Sequence, residues 1–183
     1  MIILSIDPGN EESAYCLYSI KTNSLDVDLS ETHKILEFGK IKNEDLIKYV
    51  REETFEGNYI GYDYIVIEGI ISYGMPIGKT TLHTKFFVGR LFQLALSKVE
   101  ENNIFIISRK EVLLHHCGSV RAKDSNLRQA LIDKFGEPGT KKSPGFTYGI
   151  SKDVWSAFGI ATYFAENKVK GNPILDIIKD ERR

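Results

Sequence analysis

Met1-Ile2-Ile3-Leu4-Ser5-Ile6-Asp7-Pro8-Gly9-Asn10 is the stretch on which the fold turns. Its first six residues are apolar but for one serine, the pattern of a short buried strand. The next four are turn chemistry: proline fixes φ, while glycine and asparagine tolerate positive φ. A carboxylate, Asp7, stands at the joint between the two. Working outward, residues 13–20 (SAYCLYSI) and 33–41 (HKILEFGKI) mix aromatic and β-branched residues and read as two further strands of an antiparallel meander. Residues 64–67 (YIVI) repeat the opening pattern: a short apolar strand, then at once a carboxylate, Glu68. Residues 104–107 (IFII) read as one more buried strand.

Helical patterns fill the intervals. Residues 43–55 carry Leu46, Ile47 and Val50 on one side. Residues 80–102 hold the longest pattern, with Leu82, Phe86, Val88, Leu91, Leu94, Ala95 and Val99 near a 3.6-residue period. Residues 109–115 read as a short helix. Asp124 or Ser125 caps another that runs through Leu127, Leu131 and Phe135 and ends at Gly136. Residues 137–150 form a Pro/Gly/Lys loop, and Ser151 caps a last helix over 152–168, with Asp153 in its first turn. Three antiparallel strands followed by strands alternating with helices predict an α/β protein with a mixed five-stranded sheet flanked by helices.

The chain has 183 residues, 42% of them apolar and 27% charged, an ordinary globular mix that excludes disorder, collagen and coiled coil. One domain over 1–168 and a charged tail over 169–183 are expected. Two cysteines, Cys16 and Cys117, make neither a disulfide framework nor a four-ligand zinc site. The opening residues carry no basic leader, and no apolar run reaches membrane-spanning length. A cytosolic protein with no membrane partner is expected. The net charge of −1 hides an asymmetry: residues 1–78 balance at −8, residues 79–152 at +7 and the remainder at zero. A basic middle segment is the electrostatic footprint of a phosphate-rich partner, although solvated helix faces produce the same counts.

Asp7 and Glu68 leave buried strands at the end where open α/β sheets bind ligands. A buried carboxylate needs a metal, a base or a proton. If the first turn of the last helix packs against those strand ends, Asp153 joins them, and the resulting oxygen-rich site suits Mg²⁺ or Mn²⁺. Two such ions about 4 Å apart stabilise both the attacking and the leaving oxygen of a phosphodiester displacement.

Asp7-Pro-Gly-Asn after the first strand, Val66-Ile-Glu-Gly around Glu68, and DVWSAFGIA from Asp153 together resemble the RuvC-type Holliday junction resolvases, which have the RNase H-like fold. The resemblance spans residues 1–168, and the spacing and slightly acidic pI are similar to a phage or prophage version, which would act in the cytosol of a bacterial host. It implies a metal-dependent endonuclease that hydrolyses branched DNA, four-way junctions first, and leaves a 5′-phosphate and a 3′-hydroxyl. By the same resemblance Asp7 bridges two Mg²⁺ ions, for which Mn²⁺ substitutes, and Glu68 and Asp153 each hold one. Ser156 stands where the family usually has a fourth acid. Ser156, a water or another side chain would complete the set.

The resemblance also assigns Lys123 as a lysine that offsets transition-state charge, and sends the loop after Glu68 into the junction with Tyr73 able to stack on a base. Lys79, Lys85, Arg121, Lys123, Lys141 and Lys142 from the basic segment would contact phosphates. Symmetric cutting of a junction needs two sites and so a twofold homodimer. The helix over 80–102, with Phe86, Phe87, Leu91 and Phe92 on more than one face, would supply the interface, unless those residues pack within the monomer. Two other readings fit the same residues: a less selective nuclease for forks and flaps, and a module that grips branched DNA without cutting it.

Overall fold

The computed structural model describes residues 1–21, 32–71 and 76–169. Five strands form one sheet: β1 (Ile2–Asp7), β2 (Glu12–Ile20), β3 (His33–Lys42), β4 (Tyr64–Gly69) and β5 (Ile104–Ser108). Their spatial order is β3-β2-β1-β4-β5. The first three pair antiparallel, and β4 and β5 continue parallel to β1, as the sequence predicts.

Five α-helices cover the sheet among the described residues: α1 (Asn43–Glu52), α2 (Lys79–Ala95), α3 (Arg109–Cys117), α4 (Asp124–Phe135) and α5 (Val154–Val169). Because successive side chains on a strand point to opposite faces, each strand contributes to two cores. Ile3, Cys16, Tyr18, Val66 and Ile107 pack under α3, α4 and α5, against Leu127, Leu131, Phe158, Ala161 and Phe164. Leu4, Ile6, Leu17, Ile65 and Ile67 pack under α1 and α2, against Leu46, Val50, Phe87 and Leu91. Cys16 is a buried free thiol, and Trp155 and Phe158 are core, as read from the sequence. A buried hydroxyl fixes α5 to the sheet: Ser5 Oγ lies 2.8 Å from the Ala157 carbonyl oxygen and 3.1 Å from that of Cys16, sharing its proton between them.

Three helix boundaries differ from the sequence reading, each for a local reason. The first helix stops at Glu52 because Glu53 turns left-handed, at φ 48°, and places its buried carboxylate 2.8 Å from Lys98 Nζ. The second ends at Ala95 instead of 102: the N–H groups of Ser97 and Lys98 reach back only three residues, to Leu94 and Ala95, and the Ser97 hydroxyl takes the Leu94 carbonyl as well. The last begins at Val154 instead of 152, because Lys152 has a φ of 48° that no α-helix tolerates. Asp153 therefore precedes the helix, and its carbonyl accepts the N–H of Ala157.

Candidate active site

Asp7 and Glu68 come together by register. Ile6 of β1 pairs with Ile67 of β4, so the next residue on each strand lies side by side at the sheet's edge. Alternation then decides their direction. Asp7 follows Ile3 and Ser5, and Glu68 follows Val66, on the face covered by α5. The turn after Asp7 is held tight. A Cβ on Gly9 would stand 2.2 Å from the Glu12 carbonyl oxygen, so only glycine fits there. The Gly9 N–H donates to Ser13 Oγ at 3.1 Å, and Asn43 Nδ2 donates to the Gly9 carbonyl at 3.1 Å.

The first turn of α5 closes over the pair. Ser156 is buried, and its hydroxyl lies near enough to Asp7 to oppose the rise in that carboxyl's pKa. Asp153 lies near enough to Asp7 to raise its pKa, but its own carboxylate is half exposed and pairs with Lys40 Nζ of β3 at 2.7 Å. Lys40 also lies 3.7 Å from Glu12, and the bond to Asp153 raises its pKa.

The basic group that touches the carboxylates is Arg109. It is the first residue of α3, directly after β5. A capping box fixes that helix start: the Ser108 N–H donates to Glu111 Oε2 at 2.8 Å, and Ser108 Oγ accepts the Glu111 N–H. From there Arg109 Nη1 lies 3.4 Å from Glu68 Oε2 and 3.2 Å from Ser156 Oγ, while Nη2 bonds to Asp124 at the start of α4.

Electrostatics mark the pair. Burial pushes the Asp7 carboxyl up to about 6; the negative charges of Asp153 and Asp124 add to this, while Arg109 and the Ser156 hydroxyl oppose it. Burial likewise pushes Glu68 up to about 8, with the Asp7 charge adding to it and Arg109 opposing. Two carboxylates this close and this poorly solvated call for a cation beyond Arg109. The donors are all oxygen, which suits a hard divalent ion, so the residues present fit Mg²⁺ or Mn²⁺. Among the described residues, no three acid, histidine or cysteine side chains converge on one point as they stand.

The remaining expected residues are scattered. Lys123 is exposed just before α4, where its N–H donates to Asn126 Oδ1 at 2.9 Å. Lys79 opens α2 and is exposed, Lys85 is half-buried one turn later, and Arg121 is exposed before α4. Lys141 and Lys142 form the turn of a small hairpin, Gly139–Thr140 against Ser143–Pro144. Its root is fixed by Phe146, which stacks on Phe135 at 5.1 Å. Tyr73 lies outside the described residues, as do residues 170–183.

No protein-family model matches the sequence, and no curated protein does. Solved structures do. Thermus thermophilus RuvC in complex with a Holliday junction substrate is similar at a TM-score of 0.66 and 15% identity, over 95% of this chain and 98% of that one. Thermus thermophilus RuvC solved in a second structure gives 0.64 at 12% identity, over 95% and 99%. Fowlpox virus resolvase with its Holliday junction gives 0.55 at 15% identity, over 92% and 99%. At such identities the likeness establishes the fold alone: nearly the whole chain is folded as these solved structures are.

Proposed function

We propose that this chain is a divalent-metal-dependent endonuclease for branched DNA, with the four-way junction as its first substrate. One observation carries the reading: Asp7 and Glu68 stand side by side at the ends of neighbouring parallel strands, partly buried, facing the same helix, with pKa values raised to about 6 and about 8. That the structural neighbours include resolvases solved with Holliday junctions supports the substrate class. Asp7, Glu68 and Asp153 would hold Mg²⁺, or Mn²⁺ in its place, and a divalent ion there supplies Lewis-acid charge and a bound water of lowered pKa. The Ser156 hydroxyl, held by Arg109 at 3.2 Å, would favour the charged form of Asp7. Asp153 would exchange Lys40 for the ion, a movement open to a half-exposed side chain. Hydrolysis adds water across the phosphodiester: the P–O3′ bond breaks, leaving a 3′-hydroxyl and a 5′-phosphate.

The exposed cations Lys79, Arg121, Lys123, Lys141 and Lys142, with Lys85, would track phosphates, and Tyr73 would meet a base at the junction. Lys123 would offset charge at the reacting phosphate. Two copies are needed for paired cuts. The face of α2 that carries Leu82 and Phe86, 42% and 65% exposed, is where a second copy would pack. The chain would act in the cytosol, in the host cell if it is phage-encoded.

The test is a labelled immobile four-way junction with Mg²⁺ or Mn²⁺, beside a fork, a flap and plain duplex. Paired symmetric nicks by the wild type, lost in Asp7→Asn and Glu68→Gln, are expected. Equal cutting of fork and junction moves the reading to a less selective nuclease. Tight junction binding with no cutting by the wild type overturns the nuclease in favour of a binding module.

A further inference from the structure

The usual four-acid site has an acid where this chain has Ser156, and the structure puts a guanidinium against that serine. Arg109 Nη1 is 3.2 Å from Ser156 Oγ and 3.4 Å from Glu68 Oε2, and its other nitrogen is taken by Asp124. We infer that Arg109 is the resident second cation of the site, so that each chain binds one divalent ion instead of two. The inference rests on the reading of Asp7 and Glu68 as ion ligands.

Three arguments carry it. The first is charge. Asp7, Glu68, Asp153 and Asp124 face two fixed cations, Arg109 and Lys40, and the count is the same whether Asp153 stays on Lys40 or turns to the ion. The two negative charges left over match one divalent ion. The second is geometry. Mg²⁺ demands octahedral oxygen ligands at about 2.0–2.1 Å. A serine hydroxyl in place of a carboxylate and a guanidinium within hydrogen-bond reach of Glu68 leave no such shell on that side. The third is permanence. Arginine keeps its charge at every working pH, and its planar fork bonds two neighbours at once. The capping box at Ser108 and Glu111 fixes the backbone from which it reaches, so the charge is pre-positioned. Asp124 holds the far nitrogen and keeps the guanidinium from swinging out. Arg109 is thus a positioning residue: it holds Glu68 and Ser156 and supplies fixed positive charge beside the ion.

Counting bound Mn²⁺ tests this, by electron paramagnetic resonance of the free ion during titration of the whole chain, alone and with a four-way junction. One Mn²⁺ per chain is expected for the wild type and for Arg109→Lys, and two for Arg109→Ala combined with Ser156→Asp. The Mn²⁺ dependence of cleavage should steepen from a Hill coefficient near one to near two in that double variant. Should the double variant misfold, as read by circular dichroism, Ser156→Asp alone suffices: with Arg109 kept, it still binds one. Two ions in the wild type, or one in a folded double variant, overturn the inference and leave the nuclease standing. No ion in any of them overturns both.

Discussion

The two long helices cover opposite faces of one sheet and live in different surroundings. From Val154 to Ala165, α5 is buried all round, with aromatic side chains on several sides: Trp155, Phe158, Tyr163 and Phe164. In α2, only Thr84, Phe87, Leu91 and Ala95 are buried, and Phe86 and Leu82 face out. A helix that is apolar on every side belongs in the middle of a core; one with a single buried stripe belongs on a surface. Here the buried helix also closes the candidate site, through Ser156, while the surface helix carries the spare apolar face. Stability and the candidate site share α5, and α2 offers the face proposed for a second copy.

Breaking the core side of this contrast has the largest expected effect. Phe158→Ala empties a fully buried position that touches Tyr18, Phe135 and Trp155. A loss of about 3–5 kcal/mol follows, read as a shift of the urea midpoint at unchanged slope.

Next comes pH, whose largest effect falls on the α5 side; partly buried His116 on that side, its pKa lowered by burial to about 4, opposes part of it below about pH 6.5. Asp7 and Glu68 have folded pKa values of about 6 and about 8, above the roughly 4 of an unfolded chain. Between those values the native state binds more protons than the unfolded state, so stability falls as pH rises from about 4 to about 8 and levels off above. The metal-free protein should therefore melt at a lower temperature at pH 8 than at pH 5. Added Mg²⁺ should raise the melting temperature more at pH 8, and Asp7→Asn should flatten the lower half of the decline.

A pair of glycines sharpens the contrast at smaller scale. A Cβ on Gly89 of α2 meets nothing within 4 Å, whereas one on Gly159 of α5 meets Leu127 at 3.1 Å. Gly89→Ala should stabilise the monomer by about 0.5–1 kcal/mol through helix propensity. Gly159→Ala should gain less or lose, since Leu127 is itself buried; thermal melts of the two side by side decide it. Smallest in folding terms is Phe86→Asp, expected within about 0.5 kcal/mol of wild type in monomer stability. If two copies pair through α2 as proposed, sedimentation should show the wild type as a dimer and this variant as a monomer at the same concentration.

Much of this was legible in the sequence, because the decisive signals are local. A short apolar run that ends in a carboxylate named both Asp7 and Glu68, and strand alternation sent both to one face. Arg109 follows the apolar run 104–107 with one serine between, but nothing in that run says that its guanidinium reaches Glu68 and Ser156. Asp124 and Lys40 were out of reach for another reason: their roles arise from contacts with Arg109, 15 residues away, and with Asp153 across the sheet. Helix ends were missed where a single backbone angle decided them, as at Lys152 and Glu53.

The bond between Arg109 and Ser156 has a genealogical side. The two residues are 47 positions apart in sequence and hydrogen-bonded in the fold. A lineage that regains an acid at 156 while keeping the guanidinium hands the new charge to an arginine. One that loses the arginine while keeping the serine strips Glu68 of its neutralising neighbour. Both single steps should cost the bearer, so related chains are expected to change these two positions together, which an alignment of such chains would check.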